Sequence, residues 1–293
     1  MKKSIGSVGI IGKLSDPAVG GHLRQLIHYL QSRDLKIMVE DATARLTDLP
    51  ATAARPMETL GNEIDIAIVI GGDGTMLRAA RQFANQRVPV IGINLGRVGF
   101  LADIPANDML QGIGKILDGH GKVTQRMLLH AEVIRAGKKI HDSNALNDVV
   151  ITKGELARLI EFETWLDGEF VSGARADGII VCTPTGSTAY AVSAGGPILH
   201  PDLPAIALVP ICPHTFSHRP IVVSANSTVE IVMTGAAPGQ HSHITFDGQS
   251  TLTLEDNDRV QVRRADVAVE LVHPGERSHF EVLRSKLHWG RAL

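Results

Sequence analysis

Gly71-Gly72-Asp73-Gly74-Thr75 places one carboxylate among glycines. Glycines let a backbone approach a phosphate, and a helix starting there turns unbonded N–H groups toward it. An acid in the middle would repel that phosphate, so Asp73 needs another job. It suits a base that takes a hydroxyl proton, or a ligand for the Mg²⁺ that accompanies ATP. The plain alternative is a turn in which Asp is simply a good turn residue. Three glycines around one acid are more than such a turn needs.

Other stretches could also carry chemistry. Asn147-Asp148 pairs an amide with a carboxylate, which can read a base edge and hold ribose hydroxyls, or can form an Asx turn. Arg175-Ala176-Asp177-Gly178 offers a cation and an acid, or a surface ion pair. TPTGSTAYAVSAGGP at 183–197 combines hydroxyls, glycines and one tyrosine. That mixture suits a loop entering a short helix, with donors for phosphate or ribose and a ring for stacking; a flexible linker is the other reading. His241, His243 and Asp247 would share one strand face, as a metal site or as an exposed polar face.

These residues need elements to hold them. Ile64, Ile66, Ala67, Ile68, Val69 and Ile70 read as a buried parallel strand. Met76, Leu77, Ala79, Ala80 and Phe83 follow at helical spacing, with Thr75 as a fair N-cap. In open α/β sheets ligands bind beyond the carboxyl ends of such strands. Arg78, one turn into this helix, is either a helper for phosphate charge or a solvated helix cation. Upstream, Ile5 to Ile11 predicts a strand, Ser15-Asp16-Pro17 a helix start, and Leu23, Leu26, Ile27 and Leu30 a core stripe. Lys36 to Val39 predicts a short strand and residues 41–60 a loop or weak helix. Val88 to Ile93 predicts a strand and Leu110 to Leu117 a helix. Alternation of this kind implies a parallel sheet.

Beyond about Val123 the pattern changes to about ten short strands with turns such as Asp167-Gly168 and Asp247-Gly248. Glu281 to Trp289 reads helical again. The expected architecture is therefore an α/β domain with a parallel sheet over 1–124, a mainly β domain over 125–278, and a C-terminal helix in 279–293 returning to the first domain.

The chain has 293 residues, 44% of them apolar and 20% charged, as in an ordinary globular protein of two domains. A net charge of −2 without a basic run argues against nucleic acid as a partner. No stretch of about 18 apolar residues predicts a membrane span. The start, MKKSIGSVGIIGKL, lacks the long apolar stretch and cleavage site of a signal peptide. Cys182 and Cys212 lack metal-like spacing and suit reduced thiols in a cytoplasmic protein. No Walker A loop and no G-x-G-x-x-G fingerprint is present.

GGDGT at 71–75, Asn147-Asp148, RADG at 175–178, TPTGSTAYAVSAGGP at 183–197 and FDGQ at 246–249 stand in that order. With PICPHTFSHRP at 210–220 and the HPGERSHF…KLHW tail, they closely resemble NAD kinases, in particular the proteobacterial type, over nearly the whole chain. GGDGT alone is shared with lipid kinases; the long stretch after the Asn-Asp pair is far more specific. The resemblance implies an ATP- and Mg²⁺-dependent phosphotransferase that acts on the 2′-hydroxyl of the adenosine ribose of NAD and yields NADP. It implies Asp73 as the base, with Mg²⁺ carried by ATP rather than by a dedicated protein site, and Gly72 and Gly74 against the nucleotide. Asn147 and Asp148 would hold the adenosine, although many members have Glu at the second place. Thr188, Ala189, Tyr190 and Ser193 match the adenine-side loop, and Arg158 and Gln249 match contact positions. Asp177 would lie near the nicotinamide end, contributed across a subunit boundary of a homodimer or tetramer. A basic residue at Arg175 tends to accompany preference for NAD over NADH. Two alternatives are a diacylglycerol-type lipid kinase, which would need an apolar or basic membrane-facing run, and a non-catalytic NAD(H)-binding regulator, which would have no need of Asp73.

Overall fold

The computed structural model describes residues 5–16, 18–96, 99–154, 158–215, 217–235, 241–275 and 278–287. The chain divides into two compact units, 1–125 together with 267–293, and 126–266.

The first unit opens with β1 (Ser7–Gly12), α1 (Val19–Gln31), β2 (Lys36–Glu40), α2 (Asp41–Ala44), β3 (Ala54–Arg55) and α3 (Met57–Leu60). It continues with β4 (Ile66–Ile70), α4 (Asp73–Ala84), β5 (Val90–Asn94), β6 (Ile104–Pro105) and α5 (Met109–Lys115). The sheet is parallel, in the order β5-β4-β1-β2-β3, with β6 beside β5. The run from Ile66 to Ile70 is inaccessible to solvent because β4 lies between β1 and β5. Leu23, Leu26, Ile27 and Leu30 form the buried stripe of α1, as their spacing predicts. Since β1 lies between β2 and β4, the chain leaves β1 to one side and β4 to the other. That junction is a topological switch point, where the loops after the two strands part and leave a crevice.

Two helix starts differ from expectation. Helix α1 begins at Val19, because the Asp16 carboxylate accepts the Ala18 N–H at 3.0 Å and holds a turn there; Pro17 lies outside the described residues. Helix α4 begins at Asp73 with Gly72 as its N-cap, so Thr75 sits within the first turn instead of capping it. The expected loop or weak helix at 41–60 contains the short helices α2 and α3 and the short strand β3.

The second unit holds the rest of the strands: β7 (Lys122–Arg135), β8 (Lys138–Ala145), β9 (Asp148–Lys153), β10 (Ile160–Leu166), β11 (Glu169–Ala176) and β12 (Gly178–Cys182). After the short α6 (Tyr190–Ser193) come β13 (Ala205–Ile211), β14 (Ile221–Ser224), β15 (Val229–Thr234), β16 (Ser242–Phe246), β17 (Ser250–Leu254) and β18 (Arg259–His273). One antiparallel sheet has the order β14-β13-β12-β9-β16-β17; the other includes β11-β10-β15-β18 and the β7-β8 pair. Leu129, Phe162, Ile231 and Val260 from one sheet meet Ile151, Val181, Leu208 and Phe246 from the other in a single core. The polar strands β8 and β11 and the short edge strand β14 escape a hydrophobic-run reading, since their side chains are largely exposed. Residues 259–263 and 268–272 belong to one long strand, β18, whose last part, from Val267, belongs to the first unit and there pairs with β5 at Leu271 and Val90. Helix α7 (His279–Leu287) closes the described chain and buries Leu283; the expected extension to Trp289 lies outside it.

Candidate active site

The glycine turn lies at the switch point. The chain leaves the buried β4 at Ile70, and α4 begins three residues later. Asp73 is half-buried, and its carboxylate accepts the backbone N–H groups of Phe100, Leu101 and Ala102 at 3.1, 3.2 and 3.3 Å. A side chain at Gly99 would collide with the Asp73 carboxylate, so only glycine admits the acid there. Asp73 thus faces neither open solvent nor the core: it anchors the loop at 99–102. Among the described residues Oδ2 accepts only the Phe100 N–H, which leaves it capacity for a hydroxyl proton or a metal.

Beside the turn is a cleft of about 560 Å³, lined by Gly12, Lys13, Leu14 and Ser15 after β1 and by Gly72, Gly74, Thr75 and Arg78 after β4. Arg78 is partly exposed but paired. Its Nη1 lies 2.6 Å from Oε1 of Glu40, a carboxylate buried at the carboxyl end of β2.

The second unit assembles a different cluster. Residues 183–199 do not form a linker: Ala191 and Leu199 pack on Val150, Ile180, Cys182, Ala207 and Val209 of the strands beneath them. Thr183 donates to the Leu146 carbonyl at 2.5 Å, and its N–H reaches the Asn147 carbonyl at 2.9 Å. A Cβ at Gly186 would overlap the Asn147 backbone, so the loop approaches the Asn-Asp pair as closely as glycine allows. From the other side, the Asp247 carboxylate accepts the N–H groups of Leu146, Asn147 and Asp148 at 3.0, 2.7 and 3.1 Å. Asn147, Asp148, the loop leading to Thr188, Ala189, Tyr190 and Ser193, and the turn bearing Gln249 therefore form one neighbourhood. Tyr190 presents a 45% exposed ring, free to stack on a flat ligand. Asp247 shares no face with His241 and His243; it is buried in the turn and occupied with backbone. His243 instead lies 3.4 Å from the Thr253 hydroxyl. Among the described residues no group of His, Cys, Asp and Glu could hold a metal ion.

Asp177 and Arg175 stand elsewhere. In the antiparallel β9-β12 pair, Cys182 lies opposite Asp148 while Gly178 lies opposite Thr152. Asp177 is therefore at the far end of β12 from Thr183, roughly 20 Å away at about 3.3 Å per residue. It pairs there with Lys153 at 2.6 Å, and Arg175 pairs with Glu161 at 3.0 Å. Arg158 is exposed ahead of β10. Sequence reasoning missed Glu40, Thr43 and the anchoring role of Asp247: Arg78, Gly12 and Asn147, which give these residues their place, lie 38, 31 and 100 residues away and leave no local spacing.

Burial raises Asp148 from the ordinary 3.8 to about 7, with the nearby Asp247 charge adding to it. The sign follows: between about pH 4 and 7 the folded chain holds a proton that the unfolded chain has lost, so stability falls as pH rises through that window. At about 1.4 kcal/mol per pKa unit, this amounts to a few kcal/mol. Asp148→Asn is expected to remove the loss. Urea unfolding at pH 5 and pH 8 should show a smaller difference in the variant than in the parent; equal differences would mean that Asp148 is ionised at no such cost.

The acid in a glycine turn at a parallel-sheet switch point, the arginine-walled cleft beside it, and the hydroxyl-rich loop on a β unit define a phosphotransferase with an alcohol acceptor. Residues 8–121 match the ATP-NAD kinase N-terminal domain and residues 146–274 the ATP-NAD kinase C-terminal domain. An NAD kinase of Nitrosospira multiformis is 47% identical over 289 residues, 99% of this chain and 97% of that protein. The chain belongs to the NAD kinase family. A yeast NADH kinase crystallised with NADH shares the fold, with a TM-score of 0.89 at 24% identity, covering 100% of this chain and 90% of that one. An NAD kinase from Archaeoglobus fulgidus in complex with ATP gives a TM-score of 0.76 at 25% identity, covering 96% and 98%.

Proposed function

We propose that the protein transfers the terminal phosphoryl group of ATP to the 2′-hydroxyl of the adenosine ribose of NAD, yielding NADP and ADP. Asp73 carries this reading: a carboxylate fixed by backbone N–H groups beside a nucleotide-sized cleft, with Oδ2 able to accept a hydroxyl proton. Phosphoryl transfer asks the protein for positioning and charge neutralisation more than for covalent chemistry. Gly72 and Gly74 let the backbone approach the nucleotide, and Arg78 supplies positive charge. Asp73 orients the acceptor hydroxyl and takes its proton.

The chain fits Mg²⁺ carried by the triphosphate, with its oxygen ligands coming mainly from phosphates and water and no protein cage needed; the one open position on Asp73 Oδ2 would serve either the metal or the hydroxyl proton, and we assign it to the proton. When bound, Mg²⁺ neutralises phosphate charge. Asn147 and Asp148 hold the adenosine, with Thr188, Ala189, Tyr190 and Ser193 beside the adenine and Arg158 and Gln249 as further contacts. Asp177, about 20 Å along the strand from Thr183, serves the nicotinamide end of a ligand bound by a neighbouring subunit. The working form is accordingly a homo-oligomer, dimer or tetramer, in the cytoplasm. Arg175 accompanies a preference for NAD over NADH.

The test is to mix pure protein with ATP, Mg²⁺ and either NAD or NADH and to measure NADP and NADPH. NADP formation that requires all three components is expected, with much lower kcat/KM for NADH. ATP hydrolysis without NADP would overturn the assignment, and equal kcat/KM values would overturn the preference.

A further inference from the structure

At the carboxyl ends of the first strands a buried polar chain connects four elements. The Gly12 N–H, at the end of β1, donates to the Thr43 hydroxyl of α2 at 2.8 Å. That hydroxyl donates to Oε2 of Glu40, at the end of β2, at 2.8 Å. Arg78 Nη1, on α4, donates to the other oxygen, Oε1. Glu40 is 3% exposed and Thr43 is inaccessible.

A carboxylate so placed is costly unless paired, and the cation that pairs with it comes from the helix behind the glycine turn. The pair is lopsided. The Arg78 side chain is 44% exposed against 5% for that of Glu40. Among the described residues, no other Arg78 N–H has a hydrogen-bond partner. Arg78 and Gly12 both line the cleft, so the chain runs from its floor to its wall. An arginine offers five N–H donors in a fixed planar fork. Glu40 engages one and thereby sets the plane in which the others face the cleft, where an oxyanion such as a phosphate is the matching acceptor. A carboxylate needed only for stability could have been replaced by an apolar side chain of similar volume at little cost.

We propose that Glu40, anchored by Thr43, is a positioning residue that fixes the Arg78 guanidinium for the phosphates of the phosphoryl donor. This rests on the reading of ATP as donor. It also explains how a kinase without a Walker lysine directs a cation at the phosphates: by bracing an arginine from behind.

The test is a double-mutant cycle read in KM rather than in activity alone. Glu40→Gln keeps the shape but removes the charge, and Glu40→Asp keeps the charge but withdraws it by one methylene. Each is expected to raise the KM for MgATP on the order of tenfold, the scale of a misplaced orienting group, with the KM for NAD unchanged. Equilibrium binding of MgATP by calorimetry should weaken equally. Arg78→Met should give a similar rise, and adding Glu40→Gln to it should cost nothing further, since Glu40 acts through Arg78. Unchanged donor affinity in a folded Glu40 variant, or equal losses with and without Arg78, would overturn the role of Glu40 alone. A parent protein that neither binds MgATP nor forms NADP would overturn the reading beneath it.

Discussion

Asp73→Asn is expected to lower kcat by about 10²–10⁴-fold, the range for removal of a general base. Asn has nearly the same shape and suits the first turn of α4, but it cannot take a proton from the ribose hydroxyl. The structure adds a second expectation. Asp73 accepts N–H groups from Phe100, Leu101 and Ala102, so the acid also holds the 99–102 loop. In the variant, the amide NH₂ must face at least one of those donors. Losing one charge-assisted bond costs about 1.5–3 kcal/mol, so a measurable fall in unfolding midpoint should accompany the loss of turnover. The NAD dissociation constant should change little if Asp73 acts in the transition state. Stopped-flow turnover, calorimetric NAD binding and denaturant unfolding separate these effects. A variant with normal kcat and weaker NAD binding would make Asp73 a binding residue and send the search for the base elsewhere.

Asp247→Asn is expected to destabilise the protein by about 1.5–6 kcal/mol, a charge-assisted contribution of about 1.5–3 kcal/mol per bond applied to one or two bonds. The same variant should weaken NAD binding at least tenfold. Asp247 has φ of +52° and Gly248 φ of +63°, the pair of left-handed residues that a tight hairpin between β16 and β17 requires. Asn tolerates that conformation, so the turn should survive and the effect should report the hydrogen bonds. In the parent, Oδ1 accepts the N–H groups of Asn147 and Asp148, and Oδ2 that of Leu146. The amide can keep one oxygen in place, but its NH₂ then confronts a buried N–H. Removing the Asp247 charge eases the ionisation of Asp148, yet burial is the larger cause of that shift, so the relief is partial. Urea unfolding with an unchanged m-value and calorimetry with NAD would check both parts. Unchanged stability would mean that the three N–H groups find other acceptors. Lost stability with intact NAD affinity would mean that Asn147 and Asp148 hold their places without this anchor.

What the sequence determined on its own was whatever is encoded over a few residues. The β-branched run before Gly71, the period of Leu23, Leu26, Ile27 and Leu30, and the Asp247-Gly248 turn each state their local structure, because burial and backbone sterics act at short range. The same holds for the order of the motifs, from GGDGT through Asn147-Asp148 to the loop at 183–197, which sufficed to place the chain among NAD kinases. Tertiary structure decided which side chains meet. Glu40 and Arg78 stand 38 residues apart, and Asp247 and Asn147 stand 100 apart. No periodicity reports such pairs; strand order and register bring them together. The same register sets motifs apart. Asp148 and Asp177 flank one strand pair, but antiparallel pairing puts them at opposite ends of it. Composition suits the loop after 183 to enter a short helix, as α6 does, but that it packs as a wall follows from Ala191 and Leu199 covering a buried sheet face. Buried polar pairing and strand register are non-local, and for that reason only the folded chain could disclose them.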